Sequence, residues 1–340
     1  MRNTIPYRPH ALRFQEFCHL FRHYLTPGAA RRYNLVVSLL SRRQFAAAAL
    51  VPLAGRLQAL PLSAFKLGIT TDEIDDDPLV AARFLRRYGL SWAEVRNIWG
   101  PYNTDQPVEK VRQARAIFDE QGVRVSVLDT GFFKIPLPPD TPEGRRTLDA
   151  QWTLLDAAME RAAVLGTRKI RIFTFMLEQG EKPSARGYGR IDELLREAAR
   201  RARPGRFLLA VENIGGGHVS NAAESAELLK RVKDDNVGLA WDPNNAAESG
   251  EQPFPGGYRR LDPARIFHVH LRDYRHNAAG KVEWTAVGQG EFDNLGQNRA
   301  LLKDGYKETF TLETHWRDPQ GKLYSTETSL KGLLKVVEQV

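Results

Sequence analysis

Four short apolar runs, each ending in a side chain able to bind a metal ion, limit what this sequence can fold into. They occupy residues 207–213, 237–242, 266–271 and 310–315 and carry Glu212, Asp242, His270 and Glu313. These candidates are separated by 30, 28 and 43 residues. A strand with its crossover helix occupies about 30 residues. The spacing therefore places one candidate ligand at the carboxyl end of each of four successive parallel strands. In a (β/α)8 barrel those ends converge on one face, where the active site lies.

The first half of the body repeats the alternation. Apolar, β-forming runs at residues 65–70, 93–98, 123–128 and 169–174 predict four further strands. Asp77-Pro78 opens a helix, with Asp as N-cap and Pro in the first turn. Further helices are predicted at residues 108–121, 148–165, 191–202, 221–233 and 326–340, two of them stopped by Gly122 and Gly166. The Pro-rich stretch 129–141 reads as a long loop after a strand. The outcome is an α/β chain with a single (β/α)8 TIM barrel over residues 65–340. The rival is a doubly wound open sheet. It is weakened because no Gly-x-Gly-x-x-Gly follows the first strand. Gly215-Gly216-Gly217 lacks that spacing and reads as a loop that lets backbone approach the site.

Residues 1–64 read as a non-globular leader. They hold nine Arg, no Lys and one acidic residue, Glu16, so the whole formal charge of +8 belongs to them. The remaining 276 residues are electrically balanced, which leaves no basic footprint for a nucleic-acid partner. The single cysteine, Cys18, also lies in the leader, so the body can form no disulfide or thiolate site. Ser41-Arg42-Arg43-Gln44-Phe45, followed by the mildly apolar residues 46–55, resembles a twin-arginine export signal. It implies a periplasmic or extracellular location; the alternative is a cytoplasmic protein that begins with an Arg-bearing helix. Forty residues precede the motif, so we expect translation to start near Val36 or Val37, with residues 1–35 an artefact of the assigned start. No run of about 20 apolar residues occurs in the body, and we expect no membrane insertion of the processed protein.

Two Glu, one Asp and one His form a shell of three oxygen ligands and one nitrogen. Such a shell favours Mn²⁺ or Mg²⁺, with Co²⁺ and Zn²⁺ as alternatives. An ion with open positions acts as a Lewis acid on vicinal oxygens of a sugar or keto acid and stabilises an enediolate. A carboxylate beside it can take a proton from carbon and return it elsewhere. His268, on the same strand face as His270, is assigned a structural role.

These segments resemble the xylose isomerase-like barrel superfamily: Val211-Glu212-Asn213, Trp241-Asp242-Pro243-Asn244-Asn245, His268-Val269-His270-Leu271-Arg272-Asp273, Gly288-Gln289-Gly290 and Leu312-Glu313-Thr314-His315. The resemblance implies that Glu212, Asp242, His270 and Glu313 bind one divalent ion and that Glu212 and Glu313 are the catalytic acid/base pair. It also implies three departures from the ketose epimerases, all at substrate-contacting positions. Asn245 stands where they have His, His276 where they have Arg, and His218 where they have Glu. We therefore expect His218, Asn245, Arg272, His276 and Trp99 to contact substrate. Arg272 would bind an anionic group or pair with Asp273. Trp99, Phe132, Phe133 and Trp316 are expected to wall the pocket. The activity implied is a metal-dependent isomerase or epimerase acting on a small carbohydrate, polyol or keto acid. The alternatives are a dehydratase of the same barrel and a non-catalytic sugar-binding barrel. A homo-oligomer is compatible with this reading. A multi-metal phosphodiesterase is disfavoured, because the body holds only five His.

Overall fold

The computed structural model describes residues 65–340, apart from 179–180 and 182–184. The leader, with its twin-arginine segment and Cys18, lies outside the described residues. Strand β1 (Leu67–Thr70) leads into a single-turn helix α1 (Thr71–Ile74) and then α2 (Pro78–Arg87). β2 (Trp92–Val95), α3 (Val108–Glu120), β3 (Arg124–Asp129), α4 (Pro142–Leu165), β4 (Lys169–Ile172) and α5 (Ala185–Ala202) follow. The second half comprises β5 (Leu208–Glu212), α6 (Ala222–Arg231), β6 (Val237–Trp241), α7 (Pro243–Glu248) and β7 (Ile266–Leu271). It ends with β8 (Asp273–His276), β9 (Val282–Thr285), α8 (Asn294–Lys303), β10 (Phe310–Leu312) and α9 (Lys322–Val337).

Eight strands close into a parallel barrel in the order β1-β10-β7-β6-β5-β4-β3-β2. Parallel strands are covered on both faces and so read as continuous apolar runs; Val237–Trp241 is buried at every position. β8 and β9 form a separate antiparallel hairpin after β7.

Caps explain where the helices start. Asp77 accepts a hydrogen bond from the Leu79 amide at 2.8 Å, as its sequence position predicts. Helix α4 starts six residues before the apolar pattern does. Thr141 Oγ1 accepts from the Gly144 amide at 3.1 Å and Pro142 occupies the first turn. Its first turns carry Glu143, Arg145 and Arg146, so periodicity could not reveal them. α5 and α9 also begin earlier than expected, at Ala185 and Lys322. Among the described residues no helix is long and apolar enough to cross a membrane.

The residues leaving several barrel strands adopt left-handed backbone without being glycine. Trp99 (φ 48°), Phe133 (φ 62°), Phe175 (φ 66°) and His315 (φ 48°) follow β2, β3, β4 and β10. Such conformations are costly and cluster at functional faces. Among the described residues, four of the five such non-glycine positions lie at the carboxyl mouth of the barrel; the fifth, Arg206, precedes β5.

Candidate metal centre

Glu212 is the last residue of β5, and Asp242 follows β6 as the N-cap of α7. One oxygen of Asp242 accepts from the amides of Asn244 (2.8 Å) and Asn245 (3.0 Å). Asn213 ties the two strand ends together. Its side chain donates to the Asp242 carbonyl at 2.7 Å and accepts from the Asp242 amide at 2.9 Å. His270 lies within β7, and Glu313 follows β10.

These four side chains meet around His270 Nδ1. It lies 3.2 Å from Glu313 Oε2, 3.3 Å from Glu212 Oε1 and 3.6 Å from Asp242 Oδ2. All four residues are buried, and one donor atom from each falls within 4.8 Å of the others. His270 Nδ1 and Glu313 Oε2 make no hydrogen bond of good geometry. Buried polar atoms left this way are rare. Three carboxylate oxygens and one imidazole nitrogen converging on a point suit a hard divalent ion. The residues fit such a group.

The other imidazole nitrogen is spoken for. His270 Nε2 lies 2.9 Å from Glu94 Oε1, at the bottom of the site on β2. Glu94 Oε2 contacts His268 Nε2 at 2.5 Å, and His268 Nδ1 is 3.3 Å from the Thr309 hydroxyl. A carboxylate on the far nitrogen of a ligand histidine fixes its tautomer and ring orientation. His268 thus belongs to the supporting network, consistent with the structural role expected of it.

Three arginines surround the cluster, Arg171 and Arg272 buried and Arg96 partly so, and each takes one of its carboxylates. Arg171 on β4 pairs with Glu212, and Arg272 pairs with Asp242. Arg96, just past β2, contacts Glu313 at 2.5 Å and also reaches Asp72 (2.8 Å) and Glu73 (3.2 Å).

These neighbours set the ionisation. Burial opposes charge on Glu212, but Arg171 and His270 outweigh it and hold the carboxyl below its usual range. Burial likewise opposes Asp242 and Glu313, and Arg272 with His270, and His315 with His270, bring them down. Burial disfavours the His270 cation, yet Glu94, Glu313 and Glu212 raise its pKa well above the ordinary value. Asp129 is the exception: burial raises it well above normal despite Arg171 at 3.0 Å. The cluster thus places three carboxylates held toward the ionised form around an imidazole held toward the protonated form.

The expected substrate contacts separate into two groups. Asn245 joins the cluster: its amide donates to Glu212 Oε1 (3.3 Å) and it accepts from Arg272 (3.0 Å). Arg272 also packs on Trp284 of β9, 4.6 Å from the ring centre. The expected Arg272–Asp273 pair is not formed. Asp273 turns to the amides of Tyr274, Gly288, Gly290 and Phe292 at 2.9–3.2 Å, where four backbone donors outcompete one side chain. His218 is buried with Nδ1 lacking a hydrogen bond, its ring edge-on to Tyr188. His276 is exposed on β8 and binds Glu291 at 2.8 Å, away from the ligand cluster. Trp99 is half-buried under Lys110, its amide bonded to the Asp76 carbonyl. Phe132 and Phe133 do not wall an open pocket. They are fully buried and stacked, with Phe175 on the other side of Phe133. A cavity of about 180 Å³ lies at the opposite mouth, by Trp92, Lys169 and Thr309, and holds none of the cluster.

Sequence reading passed over Glu94, Arg96, Asp129 and Arg171. Arg171 carried the clearest signal, a charged residue inside the strand Lys169-Ile170-Arg171-Ile172, since a buried charge requires a partner.

The xylose isomerase-like TIM barrel family model matches residues 82–335. The chain belongs to this family. No curated protein matches the sequence. Among solved structures, the xylose isomerase-like chain is similar to a D-allulose 3-epimerase from Methylomonas sp., with a TM-score of 0.65 and 16% identity over 82% of this chain and 98% of that one. It is similar to the IOLI protein with a bound zinc atom at TM-score 0.64 and 18% identity, over 81% and 99% of the two chains. A probable 3-DHS dehydratase, AsbF, from Bacillus anthracis gives 0.62 and 16%, over 79% and 99%. At these identities the likeness is one of fold.

Proposed function

We propose that the protein is a divalent-metal-dependent isomerase or epimerase that moves a proton on a small sugar, polyol or keto acid. The supporting observation is the convergence of Glu212, Asp242 and Glu313 on His270 Nδ1 within 3.2–3.6 Å. These four residues would hold the ion, Mn²⁺ by the hardness of the shell and Mg²⁺, Co²⁺ or Zn²⁺ as alternatives. When bound, it would polarise a substrate carbonyl and lower the cost of negative charge on the neighbouring carbon. Glu212 and Glu313 come from β5 and β10, separated in the barrel by β6 and β7, so they approach a substrate from different sides. Arg171 with His270 holds Glu212 ionised, and His315 with His270 holds Glu313 ionised, the state needed to accept a proton. The same neighbours destabilise the protonated carboxyl, so a proton taken by one glutamate is returned and not stored. Asn245, bridging Glu212 and Arg272, is placed to bind a substrate hydroxyl; His218, His276 and Trp99 are retained as candidate outer contacts. Ser41-Arg42-Arg43-Gln44-Phe45 supports an exported enzyme.

The likeness to a probable 3-DHS dehydratase favours one second reading, in which the same base leads to loss of water. NMR of sugar and keto-acid panels in D₂O, with metal analysis of the purified protein, tests both. Deuterium uptake at carbon without loss of mass supports the isomerase, and loss of water supports the dehydratase. A protein that retains no divalent ion and exchanges no carbon-bound proton refutes both.

A further inference from the structure

Within this reading of the site, we propose that the substrate carries a carboxylate, held by Lys134 and Arg171 against the ring of Phe173. Phe173 directly follows β4 and is buried. Two cations pack on its ring: Lys134 Nζ and the Arg171 guanidinium carbon each lie 4.9 Å from the centroid. Arg96, Arg171 and Arg272 each have a carboxylate within 4.0 Å. Lys134 makes no such ion pair among the described residues, so it is the uncompensated cation beside the cluster.

Arg171 provides the second, independent sign. It is buried, it donates to Glu212, and it lies beside Asp129, yet its second terminal nitrogen makes no hydrogen bond. A guanidinium N–H buried without a partner is rare in a folded chain and points to a group that arrives from outside. Although Lys134 is solvent-exposed overall, desolvation of its ammonium and then the Arg171 charge pull its pKa down. A neutral sugar would leave the Lys134 charge uncompensated in the field of Arg171. A carboxylate neutralises the unpaired Lys134 charge and accepts from the open terminal nitrogen of Arg171. Because Arg171 also grips Glu212, the carboxylate would sit next to the reacting carbons. That describes a short polyhydroxy or keto acid.

The test uses the metal-loaded protein and measures binding, so it can fail while proton exchange stands, and the reverse. D-Gluconate and D-glucuronate are titrated against their uncharged counterparts, sorbitol and glucose, with inorganic phosphate as a third arm. The expected result is at least tenfold tighter binding of the carboxylates, with most of that preference lost in Lys134→Gln and restored in Lys134→Arg. Lys134 is exposed, so both variants keep the fold, which circular dichroism verifies. Absence of carboxylate binding, equal binding of acid and neutral sugar, a preference that survives in Lys134→Gln, or tighter binding of phosphate would each overturn the proposal.

Discussion

His270 has its two nitrogens committed to different tasks. Nε2 faces Glu94 at 2.9 Å, and Nδ1 faces three carboxylate oxygens. The Glu94 contact fixes which nitrogen is free to coordinate. Glu94→Gln should therefore weaken divalent-ion affinity by about 10–100-fold, the usual effect of losing a ligand's outer partner. Competition against a calibrated chelator measures it, and unchanged affinity would reduce Glu94 to a core contact. Glu212→Gln and Glu313→Gln remove the groups assigned to proton transfer. Each should lower deuterium exchange at carbon by about 10²–10⁴-fold under saturating metal. An exchange rate within tenfold of wild type in either variant would show that another group does the work.

Among the elements, the β8–β9 hairpin depends on one side chain. Asp273 accepts from four backbone amides, and a Cβ at Gly290 would lie 2.1 Å from its Oδ1, so only glycine allows the approach. Asp273→Ala leaves buried donors without partners and should cost about 2–3 kcal/mol by urea denaturation, with early proteolysis between residues 277 and 281. This hairpin was not legible in the sequence. Asp273-Tyr274-Arg275-His276 is short and largely polar, with its first two residues buried and its last two exposed, so it carries no strand period. The barrel strands were legible because burial on both faces forces unbroken apolar runs, and the four residues of the cluster were legible because each interrupts such a run at or near its carboxyl end. Glu94 and Arg171 were hidden for the converse reason: a charge within a short strand looks like an outward-facing position. Asp242 was read as a ligand, but its second role as cap of α7 was not, since the six residues Pro243–Glu248 carry little helical periodicity.

For the whole molecule, the proposed metal centre predicts a stability that depends on ions and on pH. An ion that binds only the folded chain stabilises it by about 2.7 kcal/mol at a concentration 100 times its Kd. Removing it with EDTA should lower Tm, and re-adding Mn²⁺ should restore it. A Tm indifferent to both would argue against a bound ion. In the metal-free chain, Glu94 is held well below its ordinary 4.5, so its contribution is complete above that pH and is lost as pH falls through the lower folded value. His270 is raised well above 6.5, so its contribution is complete below that pH and is lost as pH rises through the higher folded value. The pair thus contributes most between pH 4.5 and 6.5. The destabilisation by Glu94→Gln, followed by chemical denaturation, should peak there and shrink below pH 4.5.

Closure of the barrel gives the cluster one more consequence. β10 is the last strand to be made, and it completes the ring by fitting between β1 and β7. Glu313 departs from its end, while Glu212 and Asp242 are latched to each other through Asn213 two and three strands away. A cation shared among them would rivet the final stave of the cylinder to its middle, so that the chain's late-arriving segment and its chemistry are secured by the same bolt.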